Sequence, residues 1–213
     1  MTEAPLSLPG SQAVAAVILA AGQSSRFGRD KRHALLPNGS SLLEAVVQTH
    51  RVVLGTVWVV TRPQDDFARS ICQAHGARQL ICHDADQGMG RSLAAGIAAA
   101  MAEPHGFQAL MVSLADMPGV APNTLSALIA RFQATGQAVL PRHARTGTPS
   151  AGPGELGHPR ILPRACWPAM VALRGDEGAR HALDWSLAQQ VDVVDEGVLL
   201  DVDYPEDLAR FAG

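Results

Sequence analysis

The sequence predicts an α/β fold with a mostly parallel central sheet. Short apolar runs alternate with amphipathic stretches along most of the chain, which is the pattern of repeated strand–helix–strand units. The first run leads into a glycine-containing loop, and a later run ends abruptly in an aspartate. Both endings are typical of parallel sheets, whose ligands gather beyond the carboxyl ends of the strands.

The elements follow from hydrophobic periodicity and helix-start signals. Strands are predicted at residues 15–19, 57–61, 80–82, 109–114, 138–140, 191–194 and 198–200. Helices are predicted at residues 42–50, 64–75, 92–101, 123–135, 178–189 and 205–211. Ser41 and Glu44 have the spacing of a capping box before the first helix, and Pro122 and Pro205 suit first-turn positions.

Two further stretches lack periodicity. Residues 142–163 are dense in Gly, Pro and basic residues, which predicts a long irregular loop or cover, and such loops usually serve a site. Residues 1–12 are predicted to be a loose N-terminal arm. Residues 13–213 are expected to form a single domain, because a chain of this length can bury one continuous core.

The composition favours a globular cytoplasmic protein. Of the 213 residues, 47% are hydrophobic and 17% charged. A net charge of −3 and scattered arginines argue against a nucleic-acid partner. The apolar runs are shorter than the roughly 20 residues that a bilayer crossing needs, and no basic leader precedes them, so no membrane association is expected.

The cysteines are expected to be reduced thiols. Cys72, Cys82 and Cys166 are odd in number and widely spaced, which does not fit a disulfide framework. A metal site made of Cys72, His75, Cys82 and His83 is disfavoured, because adjacent residues on an extended segment point to opposite faces.

The loop after the first strand has the composition of a phosphate-binding loop. Gly22 and Ser25 are small enough for backbone amides to approach an anion, and Arg26 and Lys31 supply positive charge. The loop matches neither the P-loop nor the dinucleotide-binding glycine spacing. Lys31 is the only lysine in the chain, so a general preference for surface lysine does not explain it. A turn with solvated charges is the alternative interpretation.

Two acidic segments follow apolar runs and predict a magnesium site. Asp116 comes after the run 109–114, and Asp201 and Asp203 come after a later run. A triphosphate needs a hard cation that keeps most of its water while one or two carboxylates hold it. Asp116 and Asp203 are the predicted pair, and whether Asp201 or Asp203 reaches the ion stays open. The alternatives are a turn residue before Pro118 and a helix cap before residue 205.

A glycine-rich segment before an alanine-rich helix is a candidate for base recognition. Gly88, Met89 and Ser92 would present backbone groups and a helix start to a nucleotide. An ordinary helix entry explains the segment equally well.

Residues 19–31 resemble the Leu-Ala-Ala/Gly-Gly-x-Ser-x-Arg-Met-Gly-x-x-Lys signature of the molybdenum-cofactor cytidylyltransferases and guanylyltransferases, with Phe27 in place of methionine. Four other segments are similar to family elements. They are residues 88–93 (Gly-Met-Ser-x-Ser-Leu, with Gly90 and Arg91 as departures), 115–118 (Ala-Asp-Met-Pro) with 201–207, 157–159 (Gly-His-Pro), and 175–180 (Gly-Asp-x-Gly-Ala-Arg). The resemblance spans residues 15–208.

The resemblance implies a three-layer Rossmann-like nucleotidyltransferase fold and a set of site residues. Arg26 and Lys31 would be catalytic, Asp116 and Asp203 would bind Mg²⁺, and His158 and Asp176 would bind the acceptor. The implied nucleotide-binding residues are Leu19, Ala20, Ala21, Gly22, Ser25, Arg26, Lys31, Gly88, Met89, Ser92 and Asp116. Arg142, His143 and Arg145 would add positive charge opposite an anionic acceptor, or form a solvated loop.

By resemblance, the reaction is transfer of CMP from CTP to molybdopterin or the molybdenum cofactor, with release of pyrophosphate, and the product is passed to a client molybdenum enzyme. Ala21 goes with cytosine, because guanine-specific members tend to have glycine there. The alternatives are a GTP-using guanylyltransferase, a sugar-phosphate or alditol-phosphate nucleotidyltransferase, and a noncatalytic nucleotide-binding module that delivers cofactor.

Overall fold

The computed structural model describes residues 13–24, 26–104, 106–144, 154–171 and 183–211. Eight strands in this part of the chain form one sheet. They are β1 (Val14–Leu19), β2 (Val57–Thr61), β3 (Arg78–Ile81), β4 (Ala109–Leu114), β5 (Val139–His143), β6 (Glu155–Leu156), β7 (Arg160–Pro163) and β8 (Gln189–Val193). The strand order is β3-β2-β1-β4-β7-β5-β6, and β8 also pairs with β5.

Five α-helices connect or flank these strands. They are α1 (Leu42–Val53), α2 (Asp66–His75), α3 (Met89–Ala102), α4 (Pro122–Thr135) and α5 (Trp167–Val171). The capping box predicted at the start of α1 is confirmed, because the Ser41 side chain accepts a hydrogen bond from the backbone N–H of Glu44 and the Glu44 carboxylate accepts one from that of Ser41.

The sheet is the middle layer of three. Alternate residues of β1 face opposite sides of the sheet, as the two-residue period of a strand requires. Val14, Ala16 and Ile18 belong to a core shared with α1, α2 and α4, while Ala15 and Val17 belong to a core shared with α3 and α5. All five side chains are fully buried. The predicted three-layer α/β architecture is confirmed.

The strand order reverses between β1 and β4. From β1 the chain builds outward through β2 to β3, and it then crosses to the other side of β1 to form β4, which pairs parallel with β1 from Val14↔Ala109 to Leu19↔Leu114. Loops that leave two adjacent strands at such a reversal diverge and open a crevice, which is where open α/β sheets bind ligands. The crevice therefore lies beyond Leu19 and Leu114.

Most of the predicted elements are confirmed within a few residues, but four differ from the structure. A helix was expected at residues 178–189, but the described part of that range holds a short 3₁₀ turn (Trp185–Leu187) and the first residue of β8. A strand was expected at residues 198–200, where the chain instead makes a 3₁₀ turn (Glu196–Val198). The expected terminal helix is a 3₁₀ helix (Pro205–Phe211).

The fourth difference concerns the expected irregular loop at residues 142–163. Its last residues form β7, which lies inside the sheet and runs antiparallel to both β4 and β5. Ile161 and Leu162 are fully buried there. Two apolar residues between Arg160 and Pro163 are too few to display a strand period, so only the neighbouring strands stabilise this segment as a strand.

The predicted arm (residues 1–12) lies outside the described residues, as do residues 172–182. Among the helices that the structure describes, none has the length and apolar character needed to cross a bilayer.

Candidate active site

The loops after β1 and β4 begin side by side at the crevice. The backbone N–H of Ala20 donates to the carbonyl of Val60 at 2.9 Å, and that of Ala115 donates to the carbonyl of Leu19 at 3.1 Å. The sheet pairing thus extends one residue past each strand. Ala21 and Asp116 consequently leave the sheet at the same level, on adjacent strands.

A segment from the far end of the chain joins these loops. The backbone N–H of Val202 donates to the carbonyl of Asp116 at 2.9 Å. The Val202 side chain is fully buried in a small cluster with Phe27, Ala34, Leu36 and Leu42, which lies beneath the loop after β1. Burial of Val202 against that loop fixes the position of the next residue, Asp203.

Lys31 lies at the point where the three segments meet. Its Nζ atom is 2.8 Å from Oδ2 of Asp116 and 3.0 Å from Oδ1 of Asp203. It also donates to the backbone carbonyl of Val202 at 2.7 Å. The Lys31 side chain is only 14% exposed, so this ion-pair group is largely shielded from water.

Arg26 forms the outer part of the same group. Its Nη1 atom is 2.5 Å from Oδ2 of Asp203, and its side chain is 66% exposed. Asp203 is therefore shared between a shielded ammonium and an exposed guanidinium. We call Arg26, Lys31, Asp116 and Asp203 the charge cluster.

The cluster shifts the ionisation of its members. Burial disfavours the charged form of Lys31, but the charges and hydrogen bonds of Asp116 and Asp203 outweigh burial, so the pKa of Lys31 is raised. The hydrogen bond from Lys31, together with that from Arg26, outweighs desolvation and lowers the pKa of Asp203. Lys31 and Asp203 are thus both charged at neutral pH.

The structure also distinguishes among the acidic residues near residue 203. Asp201 is exposed and lies outside the charge cluster. The carboxylate that accepts from the first backbone N–H groups before the terminal 3₁₀ helix belongs to Asp207, at 3.0 Å from Asp203 N and 2.8 Å from Tyr204 N. The side chain of Asp203 is consequently available to Lys31 and Arg26 instead of capping a helix.

The donors at the cluster are of the kind that a hard divalent cation prefers. Oδ1 of Asp116 is buried and has no hydrogen-bond partner, so this oxygen could accept a cation. Asp203 and the carbonyl of Val202 face the same point. Magnesium binds through one or two carboxylates plus substrate phosphates, which this oxygen set fits. Within the described residues, no group of three or more His, Cys, Asp or Glu side chains is arranged to hold a metal.

A cleft of about 500 Å³ opens next to the cluster. It is lined by seven of the predicted nucleotide-binding residues, namely Leu19, Ala21, Gly22, Gly88, Met89, Ser92 and Asp116. Ala20 and Lys31 line a smaller adjoining cavity that also contains Asp116. The structure therefore brings the loops after β1, β3 and β4 to one cleft, as the sequence predicts.

The α3 side of the cleft depends on a glycine. Gly88 has φ 109° and ψ 174°, a conformation that residues with a Cβ rarely adopt, and it directly precedes the first residue of α3. The start of α3 then places Met89 and the buried Ser92 against the cleft. Arg91, one of the departures from the family pattern, pairs with Asp84 at 2.6 Å and does not line the cleft.

Sequence reasoning missed Arg62, Gln23 and Asp86, which also line the cleft. Arg62 follows β2, and its Nε atom donates to the carbonyl of Ala21 at 2.8 Å. The signal was present, because Arg62 stands at the carboxyl end of a parallel strand, as Asp116 does. Arg32 also stabilises the loop after β1, because it donates a hydrogen bond to the carbonyl of Ala20 at 2.9 Å.

Several predicted site residues lie away from the cleft or outside the described residues. His158 lines a small cavity behind the crevice, with Leu114 and Met117, and not the cleft itself. Arg142 and His143 lie on β5 instead of in a solvated loop. Arg142 pairs with Asp192 on β8, which corrects the expectation that its charge faces an acceptor. Ser25, Arg145 and Asp176 lie outside the described residues.

A three-layer α/β protein with cationic and acidic side chains beside a cleft at its topological switch point belongs to the class of Rossmann-like nucleotide-binding folds. Comparison with known proteins narrows this class. Residues 16–193 match the MobA-like NTP transferase domain, and the chain belongs to that family.

The chain is also similar to two individual proteins and to a solved structure. The chain is 31% identical to nicotine blue oxidoreductase of Paenarthrobacter nicotinovorans, over 92% of this chain and 95% of the relative. It is 29% identical to the purine catabolism protein PucB of Bacillus subtilis (strain 168), over 90% and 92% respectively. Among solved structures, Rv0371c from Mycobacterium tuberculosis H37Rv is similar, with TM-score 0.69, 26% identity and coverage of 93% of this chain and 97% of that one.

Proposed function

We propose that this chain is a magnesium-dependent nucleotidyltransferase that transfers CMP from CTP to the phosphate of molybdopterin or the molybdenum cofactor. The observation that carries the proposal is the position of Lys31 between Asp116 and Asp203, at the edge of the 500 Å³ cleft. A cleft of that size with convergent charged groups is a usual place for a small-molecule substrate.

In the proposed reaction, an oxygen of the acceptor's phosphate monoester attacks the α-phosphorus of the nucleotide. A bond forms between that oxygen and the α-phosphorus, and the bond from the α-phosphorus to the bridging oxygen of the β-phosphate breaks. The electron pair leaves with pyrophosphate. The attacking oxygen is already anionic at neutral pH, so the reaction needs no general base. Catalysis then depends on alignment and on neutralising the triphosphate charge.

The chain's own residues would supply both the alignment of the substrates and the neutralisation of the triphosphate charge. Lys31 and Arg26 would bind phosphate oxygens, and the backbone amides around Gly22 would approach the triphosphate closely. The start of α3, at Met89 and Ser92, would contact the nucleoside part. A divalent ion held by Asp116 and Asp203 would supply further charge neutralisation and polarise the α-phosphoryl oxygens.

The preference for CTP rests on Ala21. Its side chain is 5% exposed at the cleft wall, where the added methyl group leaves less room for a purine than glycine would. The acceptor is proposed from the family alone, since no described residue recognises a pterin. A client molybdenum enzyme is the proposed destination of the product.

Four alternatives remain testable beside this reaction. Three are a GTP-using guanylyltransferase, a transferase acting on sugar or alditol phosphates, and a noncatalytic module that delivers cofactor. The fourth is a redox activity, because the P. nicotinovorans relative is named as an oxidoreductase.

One assay separates these alternatives. The purified chain is incubated with each of the four common NTPs, with and without molybdopterin or a panel of sugar phosphates, and pyrophosphate release is measured with and without Mg²⁺. The proposal expects release that requires CTP, molybdopterin and the metal together. Release with a sugar phosphate alone, or nucleotide binding without any release, would overturn it. Consumption of NAD(P)H in a parallel sample would favour the redox activity.

A further inference from the structure

Lys31 occupies the position that a cation would take among the cluster's oxygens. Its Nζ atom lies 2.8 Å from Oδ2 of Asp116, 3.0 Å from Oδ1 of Asp203 and 2.7 Å from the carbonyl of Val202. An ammonium group has three N–H donors and no acceptor, and three oxygens surround it here. The hydrogen-bonding capacity of Lys31 is therefore used by the protein's own oxygens.

The three oxygens that surround Lys31 cannot hold a divalent ion at the same time, and Oδ1 of Asp116, which has no partner, offers such an ion only one ligand from the charge cluster. Magnesium requires ligand oxygens at about 2.0–2.1 Å, and an ammonium held by the same oxygens would then lie next to a doubly charged ion. At such short range, in a group that is mostly shielded from water, like-charge repulsion is strong. The side chain of Lys31, 14% exposed, has little solvent around it to screen that repulsion.

The formal charges of the cluster balance as they stand. Arg26 and Lys31 carry two positive charges, and Asp116 and Asp203 carry two negative ones. A divalent ion added alone would leave an excess of positive charge. A triphosphate, with about four negative charges, would compensate for that ion and would also offer oxygens to Lys31.

We propose that Lys31 is a placeholder that keeps divalent metal out of the nucleotide-free protein. Binding of a nucleoside triphosphate transfers the Lys31 ammonium from Asp116 and Asp203 to phosphate oxygens, and this frees the carboxylates for the metal. The metal therefore binds with the nucleotide or after it, and each ligand raises the affinity for the other. This inference rests on the proposed nucleotide and metal site, but not on which acceptor is used.

Loss of the lysine should improve metal binding. Mn²⁺ is titrated into the nucleotide-free protein, and free Mn²⁺ is measured from its electron paramagnetic resonance signal. Lys31→Met should bind one Mn²⁺ per chain about tenfold tighter than the wild-type protein, or more, because a competing charge is gone from the oxygen set. The double variant Lys31→Met with Asp116→Asn should lose this gain.

The matched control is Arg29→Met. Arg29 lies in the same loop, and its guanidinium stands 5.9 Å from the ring centroid of Phe27, paired with neither Asp116 nor Asp203. This variant removes one positive charge without emptying the oxygen set, so its Mn²⁺ affinity should equal that of the wild-type protein. An equal gain in both variants would reduce the effect to net charge and overturn the inference.

A second test uses the wild-type protein, so its result does not depend on whether the Lys31→Met variant folds. Because Lys31 is the only lysine, labelling with lysine carrying ¹³C at the ε position gives one side-chain signal by nuclear magnetic resonance. Magnesium alone should leave that signal in place, and CTP with magnesium should shift it. A shift with magnesium alone, or Mn²⁺ binding as tight in the wild-type protein as in Lys31→Met, would contradict the placeholder role.

The two proposals can fail separately. If the Mn²⁺ pattern is observed but pyrophosphate is never released, the placeholder role stands and the transferase reaction does not. If pyrophosphate is released while Lys31→Met gains no metal affinity, the transferase reaction stands and the placeholder role does not.

Discussion

The backbone N–H of Val202 donates a 2.9 Å hydrogen bond to the carbonyl oxygen of Asp116. This bond joins the loop after β4 to a segment near the end of the chain. Because Val202 is also fully buried against the loop after β1, its neighbour Asp203 is held next to Lys31. The two carboxylates of the charge cluster thus come together through one backbone contact, and several experimental expectations depend on it.

Loss of the Lys31 ammonium should abolish most of the proposed activity. In Lys31→Met, kcat for nucleotidyl transfer should fall by about 10²–10³-fold, since a preorganised charge at the triphosphate is removed. The circular dichroism spectrum should remain that of the wild-type protein, because the main cores of the sheet do not include Lys31. Turnover at the wild-type rate would exclude Lys31 from catalysis.

Asp203 and Asp201 should behave differently, although they are separated by one residue. In Asp203→Asn, the Mg²⁺ concentration for half-maximal rate should rise by about tenfold or more, because a proposed metal ligand loses its charge. Asp201→Asn serves as the matched control and should keep the wild-type magnesium dependence, since Asp201 is exposed outside the cluster. The reverse result would assign the metal to Asp201.

Gly197 should tolerate no side chain, because the segment leading to Val202 crosses another loop there. A Cβ atom at residue 197 would lie 2.1 Å from the carbonyl oxygen of Gly119. Gly197→Ala should lower the free energy of unfolding by about 1–3 kcal/mol and reduce activity, because the crossing must open. At Gly55 nothing lies within 4 Å of an added Cβ, so Gly55→Ala is the control. Urea denaturation measures both, and equal stability of the two variants would contradict the tight crossing.

Ala21 should influence nucleotide choice. Ala21→Gly removes a methyl group from the cleft wall and should raise kcat/KM for GTP relative to CTP by about tenfold, the usual effect of one methyl group in a binding pocket. Both nucleotides are measured on the same preparation, so any loss of folded protein cancels in the ratio. An unchanged ratio would remove Ala21 from base selection.

His50 should make stability depend on pH. Its ring is buried, with Nδ1 2.7 Å from the carbonyl of Val46 and Nε2 2.6 Å from Oγ of Ser113. Desolvation outweighs the hydrogen bond to Val46 and lowers the pKa of His50 from 6.5 to about 4. Below pH 6.5 the unfolded chain therefore binds a proton at His50 that the folded chain does not bind. The free energy of unfolding consequently falls as the pH drops from 6.5 towards 4.

This loss can be measured by urea denaturation. Between about pH 7.5 and about pH 5, the wild-type protein should lose about 2 kcal/mol that His50→Gln does not lose. His83→Gln, a change at an exposed histidine, should retain the wild-type pH dependence. If His50→Gln lost stability with pH as steeply as the wild-type protein, the buried ring would not be the cause.

The elements that the sequence predicted best are those with strong local signals. The strands around Ala16, Val59 and Met111 have apolar runs long enough to be recognised, and α1 has a complete capping box. The elements predicted wrongly have weak local signals. The strand through Ile161 and Leu162 is only four residues long, and its pairing with Leu110 and Val139 is long-range.

By itself, the sequence determined the α/β class, the loop that carries Lys31 and the strand end that carries Asp116, because periodicity and strand-end chemistry are local properties of the chain. Only the tertiary structure decided which carboxylate joins them. Lys31 and Asp203 are 172 residues apart, and they meet because Val202 is buried beneath the loop and bonded to Asp116. That choice depends on packing between distant segments, which no local pattern of residues records.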